Sequence, residues 1–335
     1  MLEVLAEVYR GDSIESLHYG AIVVVDNNGR VVYYAGDPEF ATYTRSALKP
    51  MQVVAFLESG GFEHFGFDQK ALAIMCGSHA GSELHVAQVT SNLQKIGLDE
   101  SYLLCGTHPP IEYASHGILP RREETFSPLQ HNCSGKHSGM LAFALYKGLD
   151  PRRYMEFDEE PQVTIRKTVL EICEISEDLV NRGIDGCSLP NYHMPLRNFA
   201  HGFANIGTLK TDKPERRKAF EMIIKAMQAH PILVSGDRRS DYLIQQALPT
   251  EVICKLGGES IQGIAILNKG WGLAVKIADG NFRALGPVVV EALRQLDVLP
   301  DSRLDYVRPL ISPEIRNNRD LVTGHVQPVF KLKKA

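Results

Sequence analysis

Thr44-Arg45-Ser46-Ala47-Leu48-Lys49-Pro50, continued by Met51-Gln52-Val53-Val54-Ala55-Phe56-Leu57-Glu58-Ser59-Gly60-Gly61, decides how the chain is read. The second half predicts a helix, because Val53, Val54, Phe56 and Leu57 share a face and the glycine pair stops it. The first half sets Ser46 and Lys49 at the mouth of that helix, where positions i and i+3 lie on one side. Serine is a weak nucleophile until a base takes its proton. Lysine is such a base only when neutral, which requires burial or a neighbouring cation. Free amides at a helix N-terminus can hold a developing oxyanion. Pro50 fits a first turn but biases Lys49 away from helical backbone. The spacing therefore predicts a tight turn over Ser46–Lys49. A lone S-x-x-K is common by chance, and by itself it favours an ordinary surface helix.

Working outward, the N-terminal side carries β-branched and apolar runs at Leu2–Arg10, His18–Asp26 and Val31–Ala35. Asp26-Asn27-Asn28-Gly29 is a hairpin turn, since Asn and Gly tolerate positive φ. On the other side, helical spacing runs through Phe67–Met75, Leu84–Ile96, Pro151–Ile175 and Pro214–His230. Short strands return at Val252–Leu256, Ile261–Leu267, Gly272–Ala278 and Phe282–Leu285, with Asp279-Gly280-Asn281 as a second hairpin turn. A helix is expected over Pro287–Leu296, and the polar tail from Ile311 to Ala335 reads as a solvated terminus. The sum is an α+β fold: an antiparallel sheet domain from residues 1–40 and 250–325, and a mainly helical region, 41–249, inserted between its halves.

The totals agree with an ordinary globular chain: 335 residues, 44% hydrophobic, 23% charged, formal net charge -4. Such a charge offers no electrostatic footprint for nucleic acid or an acidic membrane, and no apolar run reaches spanning length. The first residues lack the pattern of a signal peptide. The 6 cysteines are too sparse for a disulfide framework. A cytoplasmic protein with reduced cysteines is expected.

Three loops gather chemistry. Met75-Cys76-Gly77-Ser78-His79-Ala80-Gly81 brings a second serine to a helix end. His131-Asn132-Cys133-Ser134-Gly135-Lys136-His137-Ser138-Gly139-Met140 is the densest, and its amides at the start of a helix (Met140–Tyr146) suit an anion or carboxylate. Gly183-Ile184-Asp185-Gly186-Cys187-Ser188-Leu189-Pro190 adds an acid and a cysteine. Cys133 and Cys187 are candidate metal ligands, but their spacing matches no zinc finger, and buried inert thiols remain the simpler reading. Ser235-Gly236-Asp237-Arg238-Arg239 is a mobile loop or an anion clamp, and Lys255-Leu256-Gly257-Gly258 a strand end that lets a substrate approach the backbone.

Together these motifs, in order over roughly residues 4 to 325, resemble the Rhizobium-type L-asparaginases, often called the asparaginase II family. The layout is also similar to serine β-lactamases and serine-dependent glutaminases. The resemblance implies that fold and an amidohydrolase that converts L-asparagine to L-aspartate and ammonia through a seryl acyl-enzyme. It implies Ser46 as nucleophile, Lys49 as base and Ser78 in the proton relay. Arg45, His137, Asp185 and Lys255 fall at substrate-binding positions, with Asp185 near the substrate's amino group. Cys133, Lys136 and Cys187 fall at the positions of a zinc ion (Zn2+) that tunes binding. A homodimer is implied as well. One departure is the lack of a cysteine at residues 245 to 250. The carboxylate of the substrate is expected on a cation or helix N-terminal amide within 131–138. The same machinery acting on glutamine, a β-lactam or a small peptide is an alternative, as are a zinc-binding protein without amidase activity and a zinc hydrolase.

Overall fold

A computed structural model describes all 335 residues. The chain divides into two compact units, Met1–Ala47 with His193–Thr208 and Leu243–Ala335, and Leu48–Tyr192 with Leu209–Tyr242.

The first unit is built on an antiparallel sheet. Its strands, numbered along the chain, are β1 (Glu3–Arg10), β2 (Ser13–Asp26), β3 (Val31–Ala35), β4 (Val252–Gly257), β5 (Ile261–Ile266), β6 (Trp271–Ile277), β7 (Glu314–Arg316), β8 (Val322–Pro328) and β9 (Lys333–Lys334). The order is β7-β8-β1-β2-β6-β5-β4, with β3 paired to both β2 and β9. The two chain ends therefore meet at the middle, where β2 lies against β6 in the register Val23↔Ala274 and Val24↔Leu273. The sheet is α+β in the expected sense. Alternation along the strands explains its two faces. Val24, Ile264, Ile266, Leu273 and Val275 join the core under the Phe282–Gln295 helix. The opposite face is lined with small residues, and there Phe203 of the Leu196–Thr208 helix lies against Gly263.

Two expectations fail here. Phe282–Leu285 is not a strand but the first turn of a helix, capped by Asn281, whose side chain accepts from the Arg283 N–H. The polar tail is not a free terminus: β8 pairs with β1 in the register Val8↔Val326. Exposed polar residues on one face of an antiparallel strand mimic the composition of a solvated tail.

The second unit is helical. The Gln69–Met75 helix, capped by Asp68, is its hub and packs against Glu83–Lys95, Ser134–Tyr146 and Pro214–Ala229. Phe56, Phe62, Phe67 and Phe143 fill one end of its core. A methyl at Gly135 would sit 2.3 Å from the Ile74 carbonyl oxygen, so only glycine lets the Ser134–Tyr146 helix approach the hub this closely. No helix is long and apolar enough to cross a membrane.

Candidate active site

The boundary between the units falls inside the opening stretch. Arg45–Leu48 forms one 3-10 turn, and Lys49–Gln52 continues it as an α-turn with Pro50 in its first positions. The expected tight turn is thus helical, and Lys49 takes the first α position. Arg45, just before Ser46, has φ 48°, a left-handed conformation that is strained for a side chain of this size.

Lys49 is fully buried. Its Nζ lies 2.5 Å from the Gly77 carbonyl oxygen, 3.4 Å from that of Asn132 and 2.9 Å from Ser78 Oγ. Burial presses the amine below its ordinary pKa; Cys133 pulls it back up and Lys136 pushes it further down. This geometry suits a neutral amine. Its two hydrogens are taken by two carbonyls, which leaves the lone pair for a hydroxyl proton. The space beneath is lined by Val53, Phe56, Met75, Met140 and Phe143 and holds a cavity of about 10 Å³, room for about one water.

Ser78 is held on both sides. Its N–H donates to the Val234 carbonyl at 2.8 Å, and its carbonyl accepts from Arg239 Nη1. Its neighbour His79 is a pin rather than a base. Nδ1 accepts the Gly81 N–H, so Nε2–H donates to Ser134 Oγ at 2.9 Å, and Ser134 passes its own proton to the Leu129 carbonyl. Burial holds the ring neutral, well below the ordinary histidine pKa.

Cys133, Lys136, Asp185 and Cys187 converge in the same unit. Lys136 Nζ donates to Cys187 Sγ at 3.2 Å, and Cys187 Sγ lies 3.9 Å from Asp185 Oδ2. Hydrogen bonding from Cys187 holds the Cys133 thiol well below its ordinary pKa, against burial and with help from Lys49, Lys136 and His131. Cys133 is also the N-cap of the Ser134–Tyr146 helix, where the dipole favours a thiolate. The same bond to Cys133, together with burial, keeps Cys187 protonated. Burial alone would lower Lys136, yet Cys187, Cys133 and Asp185 outweigh it and raise its pKa. Nowhere do three His, Cys, Asp or Glu side chains form a metal cage. The candidate set is two buried sulfurs and a lysine nitrogen, and its chemistry fits a thiophilic divalent cation once Lys136 gives up its proton.

His137 is turned elsewhere. Tyr154 Oη accepts the Leu104 N–H at 3.0 Å and donates to His137 Nδ1 at 2.5 Å. The other ring nitrogen, Nε2, is buried and has no hydrogen-bond partner. In the sheet unit, a methyl at Gly258 would sit 3.1 Å from the Arg45 Cζ, so that guanidinium lies close against the β4 end. Lys255 is fully buried, and its Nζ donates to the Leu256 carbonyl at 2.6 Å. No motif or spacing points to Tyr154, or to the carbonyls of Gly77 and Asn132, which belong to the backbone. Arg239 was visible as a charged loop but not as a neighbour of Ser78.

Among curated proteins no significant match is found. Solved structures with a similar course of chain include Mglu in its native form (13% identity, 84% of this chain and 65% of that one, TM-score 0.38). Others are a β-lactamase from Mycobacterium bovis (13%, 82% and 94%, TM-score 0.41) and a Bacillus glutaminase (12%, 84% and 91%, TM-score 0.39). The chain thus spans less than two thirds of the Mglu chain. At the level of sequence, a family model described as L-asparaginase II matches residues 6–328. The protein belongs to the L-asparaginase II family.

Proposed function

We propose that the protein hydrolyses L-asparagine to L-aspartate and ammonia through an ester on Ser46. The observation that carries this reading is the buried Lys49 amine, set against two carbonyl oxygens and the Ser78 hydroxyl and three residues from Ser46.

Neutral Lys49 takes the Ser46 proton, with Ser78 Oγ as relay. Ser46 Oγ bonds to the side-chain amide carbon, and the carbonyl electrons move onto oxygen. Backbone amides, including that of Ser46, hold this oxyanion. The intermediate collapses, the C–N bond breaks, and Lys49 returns the proton to the departing nitrogen as ammonia. Water, deprotonated by the same relay, attacks the ester; aspartate leaves and Ser46 regains its proton. The Asp185 carboxylate suits the substrate's ammonium group. Cys133, Cys187 and Lys136 would hold a zinc ion, whose charge when bound would tune substrate affinity. We further infer a cytoplasmic homodimer, which light scattering checks.

The test is intact-mass measurement after brief mixing with L-asparagine, followed by peptide mapping. An aspartyl adduct on the Ser46 peptide supports the reading. Rapid ammonia release with no adduct on Ser46 at any quench time within the first turnovers counts against it. Parallel kinetics on L-glutamine decide the breadth of the substrate.

A further inference from the structure

The loop after the Pro231–Val234 turn is sewn onto the Ser78 loop. Ser78 N–H donates to the Val234 carbonyl at 2.8 Å, and His85 Nε2 donates to that of Ile232 at the same distance. Gly236, at φ 110°, passes so close to Ala80 that a methyl there would lie 2.6 Å from the Ala80 side chain. This course delivers Arg239 to the carbonyl of Ser78, which accepts from Nη1. That is the one hydrogen bond the guanidinium makes, and it enters no ion pair. Asp241 and Cys133 act on it only at longer range. The residue is half-buried, and none of its other nitrogens is both buried and unbonded, so they face accessible space. A half-buried guanidinium whose fork is unfilled, one residue's backbone from a reacting hydroxyl, is a receptor for a carboxylate.

We propose that Arg239 anchors the α-carboxylate of the substrate, a role first assigned to residues 131–138. The inference rests on the amidohydrolase reading above. In L-asparagine the carboxylate and the side-chain amide are two carbons apart, a span of about 4 Å. Both ends must therefore be held close together, and Ser78 carries the guanidinium on its carbonyl and the amine on its hydroxyl. Within 131–138 the Lys136 charge is otherwise engaged, with Cys187.

The test compares wild type, Arg239→Gln and Arg239→Lys on L-asparagine and on 3-aminopropanamide, the same amide without its α-carboxylate. In wild type, removing the carboxylate should cost on the order of 100-fold in kcat/KM. Arg239→Gln should lose a similar factor on L-asparagine, chiefly through KM, and almost nothing on 3-aminopropanamide. Arg239→Lys, which keeps the charge without the fork, should fall between. Equal losses on both substrates would make Arg239 a brace for the Ser78 loop and overturn the anchor. Should wild type turn over neither amide, the amidohydrolase reading fails. Calorimetry with L-aspartate and β-alanine then decides on Arg239 alone. A preference for L-aspartate that Arg239→Gln erases upholds the anchor. No preference, or no binding of either, overturns it.

Discussion

Replacing Lys49 is the sharpest perturbation of the proposed chemistry. Lys49→Met keeps the bulk and removes the base. Loss of a positioned general base lowers turnover by roughly 10²- to 10⁴-fold, or about 3–5 kcal/mol of barrier. Stability should move less. The carbonyls of Gly77 and Asn132 each lose a donor, at about 1–3 kcal/mol per stranded group. A buried amine no longer needs to be desolvated, which offsets part of that cost. Lys49→Arg is the complementary change. It restores donors for both carbonyls, but guanidinium does not give up its proton in proteins. It should be as inactive as Lys49→Met while keeping the charge. The assay is ammonia release from L-asparagine, with circular dichroism and thermal melting to establish folding. A folded Lys49→Arg within about tenfold of wild type in kcat/KM would refute Lys49 as proton acceptor and move the role to Lys136 or His137.

Four other outcomes are expected. Ser46→Ala should abolish nearly all turnover with an unchanged melting temperature, and appreciable residual activity would remove Ser46 as nucleophile. Chelation should raise KM for L-asparagine yet leave measurable turnover, because a serine–lysine mechanism uses no metal-bound water; complete, zinc-reversible loss would favour a zinc hydrolase. Gly135→Ala, whose methyl would meet the Ile74 carbonyl oxygen at 2.3 Å, should lower stability by about 1–3 kcal/mol in urea denaturation. Asp279 accepts from His18 at 2.7 Å; burial opposes ionisation, but the Asn281 N–H and His18 outweigh it and hold the carboxyl below its ordinary 3.8. A depressed acid stabilises the fold above its unfolded pKa and loses that contribution as pH falls through the folded one. Asp279→Asn should therefore cost up to about 1 kcal/mol at neutral pH and nothing at pH well below 3.8, read from melts across that range.

Much of the sheet was legible because its strands are short, apolar and bounded by turns. β4 to β6 fall within a residue or two of their expected limits. The turn at Asp279-Gly280-Asn281 misled because Asn serves a hairpin and a helix cap equally well, and only the residues beyond it decide. Leu196–Thr208 lies outside the expected helices although Leu196, Phe199, Ala200 and Phe203 recur at helical spacing, because its glycines and asparagines suggest a loop. At the site, the residue types were readable but their partners were not. Lys49 meets two backbone carbonyls and His137 a tyrosine, and neither contact leaves a trace in spacing.

Two of the buried lysines, Lys49 and Lys136, show how one pocket assigns opposite roles to one side chain. Lys49 faces carbonyl oxygens and a hydroxyl, and burial outweighs the upward pull of Cys133. Lys136 faces Cys187, Cys133 and Asp185, and negative charge wins. Environments that push paired titratable groups apart mark the acid and the base. The arrangement also survives a change of occupant. With no metal, the Lys136 ammonium puts a positive charge beside Lys49 and favours its neutral form. With a divalent cation held by Cys133, Cys187 and a neutral Lys136, two thiolates would balance its two charges, as the Cys133 thiolate balances the ammonium without it. Either way burial is the largest influence on Lys49. Loss of the metal should therefore be felt in substrate affinity before it is felt in the proton transfer.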